Sequence, residues 1–533
     1  MLCTSRLLQA LLFTTSLSLI LPSAQAASNP LEVKTASGKL LGKQSDQVRA
    51  FLGIPYAAPP VGPLRWKAPQ PAAKWKGTRD ASTFGSHCMQ PALYADMIFR
   101  DPGISEDCLT LNVWTPAAKA KSAKLPVMVW IYGGGFVTGG TSEPRQDGTN
   151  LAAHHGVIVV SMNYRLGIFG FFAHPTLTAE SGHSTSGNYG LMDQTAALHW
   201  VQTNIAAFGG DPSNVTIFGE SAGSFAVSSQ MASPLAKGLF HRAIGESGGA
   251  FRSQGLGYPP RSEAEQADAA FAQTNFNAST LDQLRAVPAQ QLMDAEFKKA
   301  DPTSTAKAVR FGPDIDGYFL PQSLPEIFSA GHQNDVALLA GWNRDEGGVA
   351  TGTTVASLKE ALTKQFPTQA DAAIAAFPAS TDDEAVRALS DLHAQQFIAF
   401  STWKWIEAAL VTGKQPVYRY RFDLAPPADP NHPGGLTAYH SGEIPYVFGN
   451  LDLLQGFPWR PEDRTLSDQM QTYWTNFART GDPNAPNGAN LPKWPTYSTT
   501  TDRKVLYLTP TPEAVPDKTR QQELFLDSVW NTD

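Results

Sequence analysis

Seven short apolar runs, separated by segments of helical character, constrain the fold of this 533-residue chain more than any other feature. They are LTLNVW (109–114), PVMVWIY (126–132), GVIVVSMNY (156–164), NVTIF (214–218), RAIG (242–245), DVALLAG (335–341) and PVYRYRF (416–422). Such runs suit strands buried on both faces, the condition of a parallel sheet covered by helices. Between the third and fourth, Leu191, Leu198, Val201, Ile205 and Phe208 step by seven, three, four and three, which places them on one helix face. Strands alternating with helices predict an α/β fold around a mostly parallel central sheet flanked by helices. Residues from about 260 to 410 are richer in Ala, Gln, Glu and Leu. They read as helical insertions above the strand ends, where sheets of this kind bind ligands. No Pro- or Ser-rich linker, repeat or charge block divides the chain, and 42% hydrophobic residues supply one large core. A single domain over residues 27–533 is therefore expected.

Residues 1–26 read as a signal peptide. After Arg6 an apolar run extends from Leu7 to Leu21, and Ala24-Gln25-Ala26 fits the small-residue cleavage pattern. The run is short for a transmembrane helix and nothing later resembles one. A secreted or periplasmic protein without a membrane span is the expectation. Export also sets the reading of the cysteines: Cys3 leaves with the leader, and Cys88 and Cys108 most simply form one disulfide. A formal net charge of −7 with no basic stripe argues against nucleic acid as a partner. No Cys or His cluster has metal-ligand spacing.

Two pentapeptides fit G-x-S-x-G: GESAG at 219–223 and GESGG at 245–249. The pattern puts a nucleophilic serine on a tight turn between strand and helix. Context separates the two. NVTIF leads into Gly219-Glu220-Ser221, and helix-compatible residues follow. After Ser247, GGAFRSQGLGYPP cannot easily start a helix. Ser221 is the candidate nucleophile. A serine hydroxyl needs a base, the base needs an orienting carboxylate, and the oxyanion formed on attack needs donors. The chain order Ser, acid, His directs the search downstream. Asp345 and Glu346 lie just past DVALLAG in a glycine-rich loop; His393 sits in a helical pattern, and His432 and His440 follow turn-rich stretches. Spacing alone leaves either acid, and either of the last two histidines, eligible. Upstream, Gly133, Gly134 and Gly135 follow PVMVWIY, and consecutive glycines let backbone N–H groups approach a developing negative charge.

With these stretches the sequence resembles the type-B carboxylesterases, a family of α/β-hydrolases that includes cholinesterases and some fungal lipases. FGGDPSNVTIFGESAG from Phe208 and EDCLTLNVWTP from Glu106 match the family's signatures. The likeness runs from about residue 31, through FLGIPYAAPPVGPLRW, to FARTGDPNAPNGANLPKWPTY near the C-terminus. The resemblance implies a serine carboxylesterase working through an acyl-enzyme, with Ser221 as nucleophile, Glu346 rather than Asp345 as acid, and His440 as base. It implies oxyanion donors on the N–H groups of Gly134, Gly135 and Ala222, and a Cys88–Cys108 disulfide. It places Ser247 in a supporting position beside His440 and Glu220. A small-molecule ester is the implied partner, with no metal or organic cofactor. The nineteen residues between the cysteines carry Tyr94 and Phe99 but no tryptophan. They therefore lack the ring that receives a quaternary ammonium in cholinesterases, and they form a shorter flap than that of the related lipases. Soluble esters fit these departures better than choline esters or lipid droplets. The alternatives are a lipase, an esterase for bulky natural products, and a non-catalytic binding protein on the same fold. The intact Ser, Glu, His and glycine set speaks against the last.

Overall fold

The computed structural model describes Met1 and residues 29–530, apart from 46, 119–122, 252–256, 299–309, 429–436 and 485–490. The expected leader, from its second residue on, and His432 lie outside the described residues.

Eleven strands form the central sheet. In chain order they are β1 (Lys43–Ser45), β2 (Val48–Pro55), β3 (Thr110–Pro116), β4 (Leu125–Ile131), β5 (Ile158–Met162) and β6 (Gly210–Glu220). There follow β7 (Arg242–Glu246), β8 (Ala337–Asn343), β9 (Val417–Phe422), β10 (Lys504–Leu508) and β11 (Glu513–Pro516). All seven apolar runs fall in β3 to β9. Across the sheet the order is β11-β10-β9-β8-β7-β6-β4-β5-β3-β2-β1. From β10 to β5 every neighbouring pair is parallel. The margins, β11 on one side and β3, β2 and β1 on the other, are antiparallel. Every residue of β4 and of β8 is buried, which requires cover on both faces.

One cover is helix α1 (Tyr189–Asn204), which buries Leu191, Leu198 and Val201. The expected helical stretch ends sooner than its apolar spacing suggests, because Ile205 and Phe208 belong to a 3-10 turn that continues it. Polar residues of α1 are buried too, and Asp193 is satisfied there by Arg165 at 2.7 Å.

The chain passes from β5 over β4 to reach β6, so strand order reverses between β4 and β6. The loops leaving those two strand ends diverge and open a crevice. The helical insertions rise on that side. They include α3 (Arg261–Phe276) before β8, and α4 (Asp382–Ala394) and α5 (Phe400–Thr412) after it, the last two joined by a π-helical turn at Gln395–Ala399. Helix α2 (Ala222–Ala232) starts directly at the end of β6. Cys88 and Cys108 are disulfide-bonded. Among the described residues no helix is long and apolar enough to cross a membrane.

Candidate active site

Strands β6 and β7 pair in register, with Gly219 opposite Gly245 and Glu220 opposite Glu246. The two similar pentapeptides are thus neighbours, and their serines leave adjacent strand ends. Both serines have left-handed backbone, φ 54° at Ser221 and 55° at Ser247. Each N–H is held by the next strand, Ser221 by the carbonyl of Glu246 at 2.9 Å and Ser247 by that of Gly341 at 2.8 Å. The glycines answer to different neighbours. A Cβ on Gly223 would lie 2.0 Å from the Ile131 carbonyl at the end of β4, whereas one on Gly245 would lie 2.2 Å from the Trp405 ring of α5. The first set lets the serine turn close onto β4; the second lets a helix close onto β7. Only Ser221 is followed at once by a helix, as its context predicts.

Three loops bring their side chains to one line. Ser221 Oγ is 2.9 Å from His440 Nε2, and His440 Nδ1 is 2.5 Å from Glu346 Oε2. The other carboxylate oxygen of Glu346 accepts from the Asn343 N–H at 2.8 Å and the Ser247 hydroxyl at 2.5 Å. This corrects the expected partner of Ser247. Its hydroxyl serves Glu346 rather than His440 and Glu220, because β8 lies beside β7 and the loop after β8 passes over the end of β7. Glu220 approaches the imidazole on its own, with Oε1 3.2 Å from His440 Nε2. The ring of Phe397, carried by the π-helical turn, meets the imidazole edge-on at 5.0 Å between centroids.

The segment that bears the histidine is fastened to the loop that bears the acid. The Asp345 N–H donates to the Ala438 carbonyl at 2.9 Å, and the Ala438 N–H donates to Asp345 Oδ2 at 2.8 Å. The Asn343 side-chain amide donates to the Tyr439 carbonyl at 2.7 Å and to Glu443 Oε2 at 2.5 Å. Asp345 also pairs with Arg344 at 2.9 Å and Arg387 at 2.5 Å, so this acid fastens the loop while its neighbour meets the imidazole.

Electrostatics beneath the histidine are dominated by buried acids. Burial alone would lower the pKa of His440, but the carboxylates of Glu220 and Glu346 hold it above its ordinary value. Burial pushes Glu220 up to about 7 against the pull of His440 and Arg145. Glu443 is pushed up to about 8 by burial, with Glu220 and Glu346 adding to it. Glu246, whose carboxylate accepts from Trp474 Nε1 at 2.7 Å, is raised well above the carboxylate range by burial. So many acids cannot all ionise in so little solvent, and those that do favour protonation of the imidazole beside them.

Gly134, Gly135 and Ala222 border the same cavity as Ser221, a space of about 900 Å³. Ala222 is the first residue of α2, so its N–H has no acceptor within the helix, and the positive end of the helix lies at the serine. The glycine loop is braced from below: Gln90 accepts from the Gly139 N–H and donates to its carbonyl, both at 2.7 Å. The disulfide loop adds Tyr94, Asp96 and Met97 to the cavity wall, and α3 adds Glu263, Ala264, Ala267 and Asp268. The helical insertion is thus a roof over the crevice. Sequence reasoning missed Asn343, Phe397, Glu443 and the brace from Gln90. Only their position in the fold distinguishes them from other residues of their type.

Comparison with known proteins agrees with this architecture. The profile of the carboxylesterase family matches residues 29–526. A fumonisin B1 esterase of Sphingopyxis macrogoltabida is 38% identical over 491 residues, which cover 90% of this chain and 86% of that protein. The para-nitrobenzyl esterase of Bacillus subtilis (strain 168) is 38% identical over 515 residues, 92% of this chain and 98% of its own. Carboxylesterase 1D of Rattus norvegicus is 37% identical, with 90% and 89% covered. The solved structure of a PNB esterase superposes with a TM-score of 0.76 at 36% identity, covering 93% of this chain and 100% of that one. With an α/β-hydrolase sheet and matches of this extent, the chain belongs to the carboxylesterase family and is a carboxylic ester hydrolase.

Proposed function

We propose that hydrolysis proceeds through an acyl-enzyme on Ser221. His440 Nε2 takes the serine proton as Oγ attacks the ester carbonyl, and Glu346 stabilises the imidazolium through Nδ1. The N–H groups of Gly134, Gly135 and Ala222 receive the negative charge that develops on the carbonyl oxygen. His440 then gives its proton to the leaving alcohol. Water repeats the sequence on the acyl-enzyme, and the acid leaves with Ser221 restored. The observation that carries this reading is the unbroken hydrogen-bond line from Ser221 through His440 to Glu346.

A small, soluble ester is the substrate class this reading favours. Among the described residues no tryptophan lines the cavity, so the quaternary ammonium of a choline ester has no indole face to meet. Export belongs to the same reading: removal of residues 1–26 leaves one domain from Ala27 to Asp533, and a mature N-terminus other than Ala27 refutes that boundary.

The test of the mechanism is covalent. An organophosphate should inactivate the enzyme and leave its adduct on the peptide that contains Ser221. Ser221→Ala should remove almost all turnover of 4-nitrophenyl acetate, about a millionfold in kcat. An adduct elsewhere, or a Ser221→Ala variant of normal activity, sinks the proposal.

A further inference from the structure

Two guanidiniums line the cavity, Arg145 and Arg310. Arg145 is tied to Glu143 at 2.7 Å and Asp96 at 2.9 Å, so its charge is balanced. Arg310 makes no ion pair among the described residues. Its Nη2 donates to the carbonyl of Gly135 at 3.0 Å, and the polar side chains that influence it are the phenols of Tyr94 and Tyr258. Its side chain is solvent-exposed at the cavity wall, and partial desolvation by its surroundings still lowers its pKa. The acids on the same wall do not supply that anion. Asp96 already serves Arg145, and burial keeps Asp268 well above the usual carboxylate range. Glu263, on α3, makes no ion pair with Arg310.

We infer that Arg310 receives a carboxylate carried on the acyl part of the substrate, so that the enzyme prefers monoesters of dicarboxylic acids. The inference rests on the acyl-enzyme reading, which orients the ester. The leaving oxygen must face His440 Nε2 to be protonated, and the carbonyl oxygen must face the glycine loop and Ala222. The acyl chain is then turned away from the histidine. Arg310 sits on the carbonyl of Gly135, next to the proposed oxyanion donors. An acid group a few carbons from the ester carbonyl comes within its reach. A guanidinium has five N–H donors in a planar fork that matches a carboxylate. Among the described residues only one acceptor, Gly135, occupies that fork. Anchored there and at the oxyanion donors, the acyl group is held at both ends.

The test compares kcat/KM for the mono-4-nitrophenyl ester of glutaric acid with that for 4-nitrophenyl pentanoate, which has the same chain length without the charge. The wild-type enzyme should favour the acidic ester, and added salt should shrink the preference. Arg310→Gln should lower the acidic-to-neutral ratio at least about tenfold, the effect of losing a charge-assisted hydrogen bond, and Arg310→Lys should retain part of it. Because the readout is a ratio, a general loss from a disturbed glycine loop cancels. Glutarate should also inhibit wild-type hydrolysis of the neutral ester more tightly than pentanoate does, which keeps the test decisive if Arg310→Gln does not fold. A wild-type ratio at or below one, an unchanged ratio in Arg310→Gln, or equal inhibition by the two acids overturns the assignment. Failure of the acyl-enzyme reading would look different: Ser221→Ala would then hydrolyse the neutral ester normally.

Discussion

Ser247→Ala separates a supporting serine from a nucleophile. The Ser247 hydroxyl donates to Glu346 Oε1 at 2.5 Å in a fully buried setting, and the same oxygen keeps a second donor, the Asn343 N–H at 2.8 Å. A hydrogen bond to a charged group contributes roughly 1.5–3 kcal/mol. If all of it were expressed in the transition state, kcat/KM would fall between about 10- and 150-fold at 1.36 kcal/mol per decade. The surviving donor places the expected loss toward the lower end, far from the near-total loss expected for Ser221→Ala. Denaturant unfolding should show a stability loss of about 1–3 kcal/mol from the underbonded buried carboxylate. Backbone strain offers a control. Ser247 has φ 55°, where a Cβ costs about 1–2 kcal/mol and glycine is at ease. Ser247→Gly removes the same hydroxyl, so it should share the kinetic defect of Ser247→Ala while being the more stable of the two. The assay is 4-nitrophenyl acetate hydrolysis, with organophosphate labelling of each variant. Either of two results refutes the reasoning: a Ser247→Ala enzyme as inactive as Ser221→Ala, or full activity regained in Ser247→Gly.

Exchanging each neighbouring acid for its amide should divide their roles. Glu346→Gln should lower kcat by about 10⁴, whereas Asp345→Asn should chiefly lower Tm through its arginine partners, and the reverse pattern would reject the assignment. The base must be neutral to accept a proton, so activity rises with pH through the pKa of His440, which Glu220 and Glu346 hold above its ordinary value. Glu220→Gln deletes one of those carboxylates and should move this limb of the pH–rate profile to lower pH; an unmoved limb, or one displaced upward, contradicts the electrostatic account. Reduction of the Cys88–Cys108 bond, which closes a sequence separation of 20, should cost about 3 kcal/mol of stability. An unchanged denaturation midpoint in reductant would count against that.

Much of the sheet was legible because its inner strands are buried on both faces and must be apolar throughout. The outermost strands were not. β1 reads KQS and is exposed at every residue, and β11 is at best half-buried, so pairing with a neighbour makes them strands. The strand, turn and helix around Ser221 were legible from local context, since they are consecutive. Ser247's partner was not, because Glu346 is 99 residues away and meets it only through the order of strands. The two adjacent acids are locally equivalent; they part because Arg387, 42 residues on, captures Asp345. Phe397 and Arg310 owe their places to how the insertions fold over the crevice, which no periodicity reports.

The lacing of Asp345 to Ala438 and of Asn343 to Tyr439 has an evolutionary consequence. Ala438 and Tyr439, which directly precede His440, are moored to residues at the end of β8, so Asn343 and Asp345 fix the position of His440 whatever path the chain takes from β9. A change of chain length between β9 and Ala438 then alters only a slowly growing closure entropy and need not displace the imidazole. A lineage can therefore change the length of that connection while His440 keeps its place between Ser221 and Glu346.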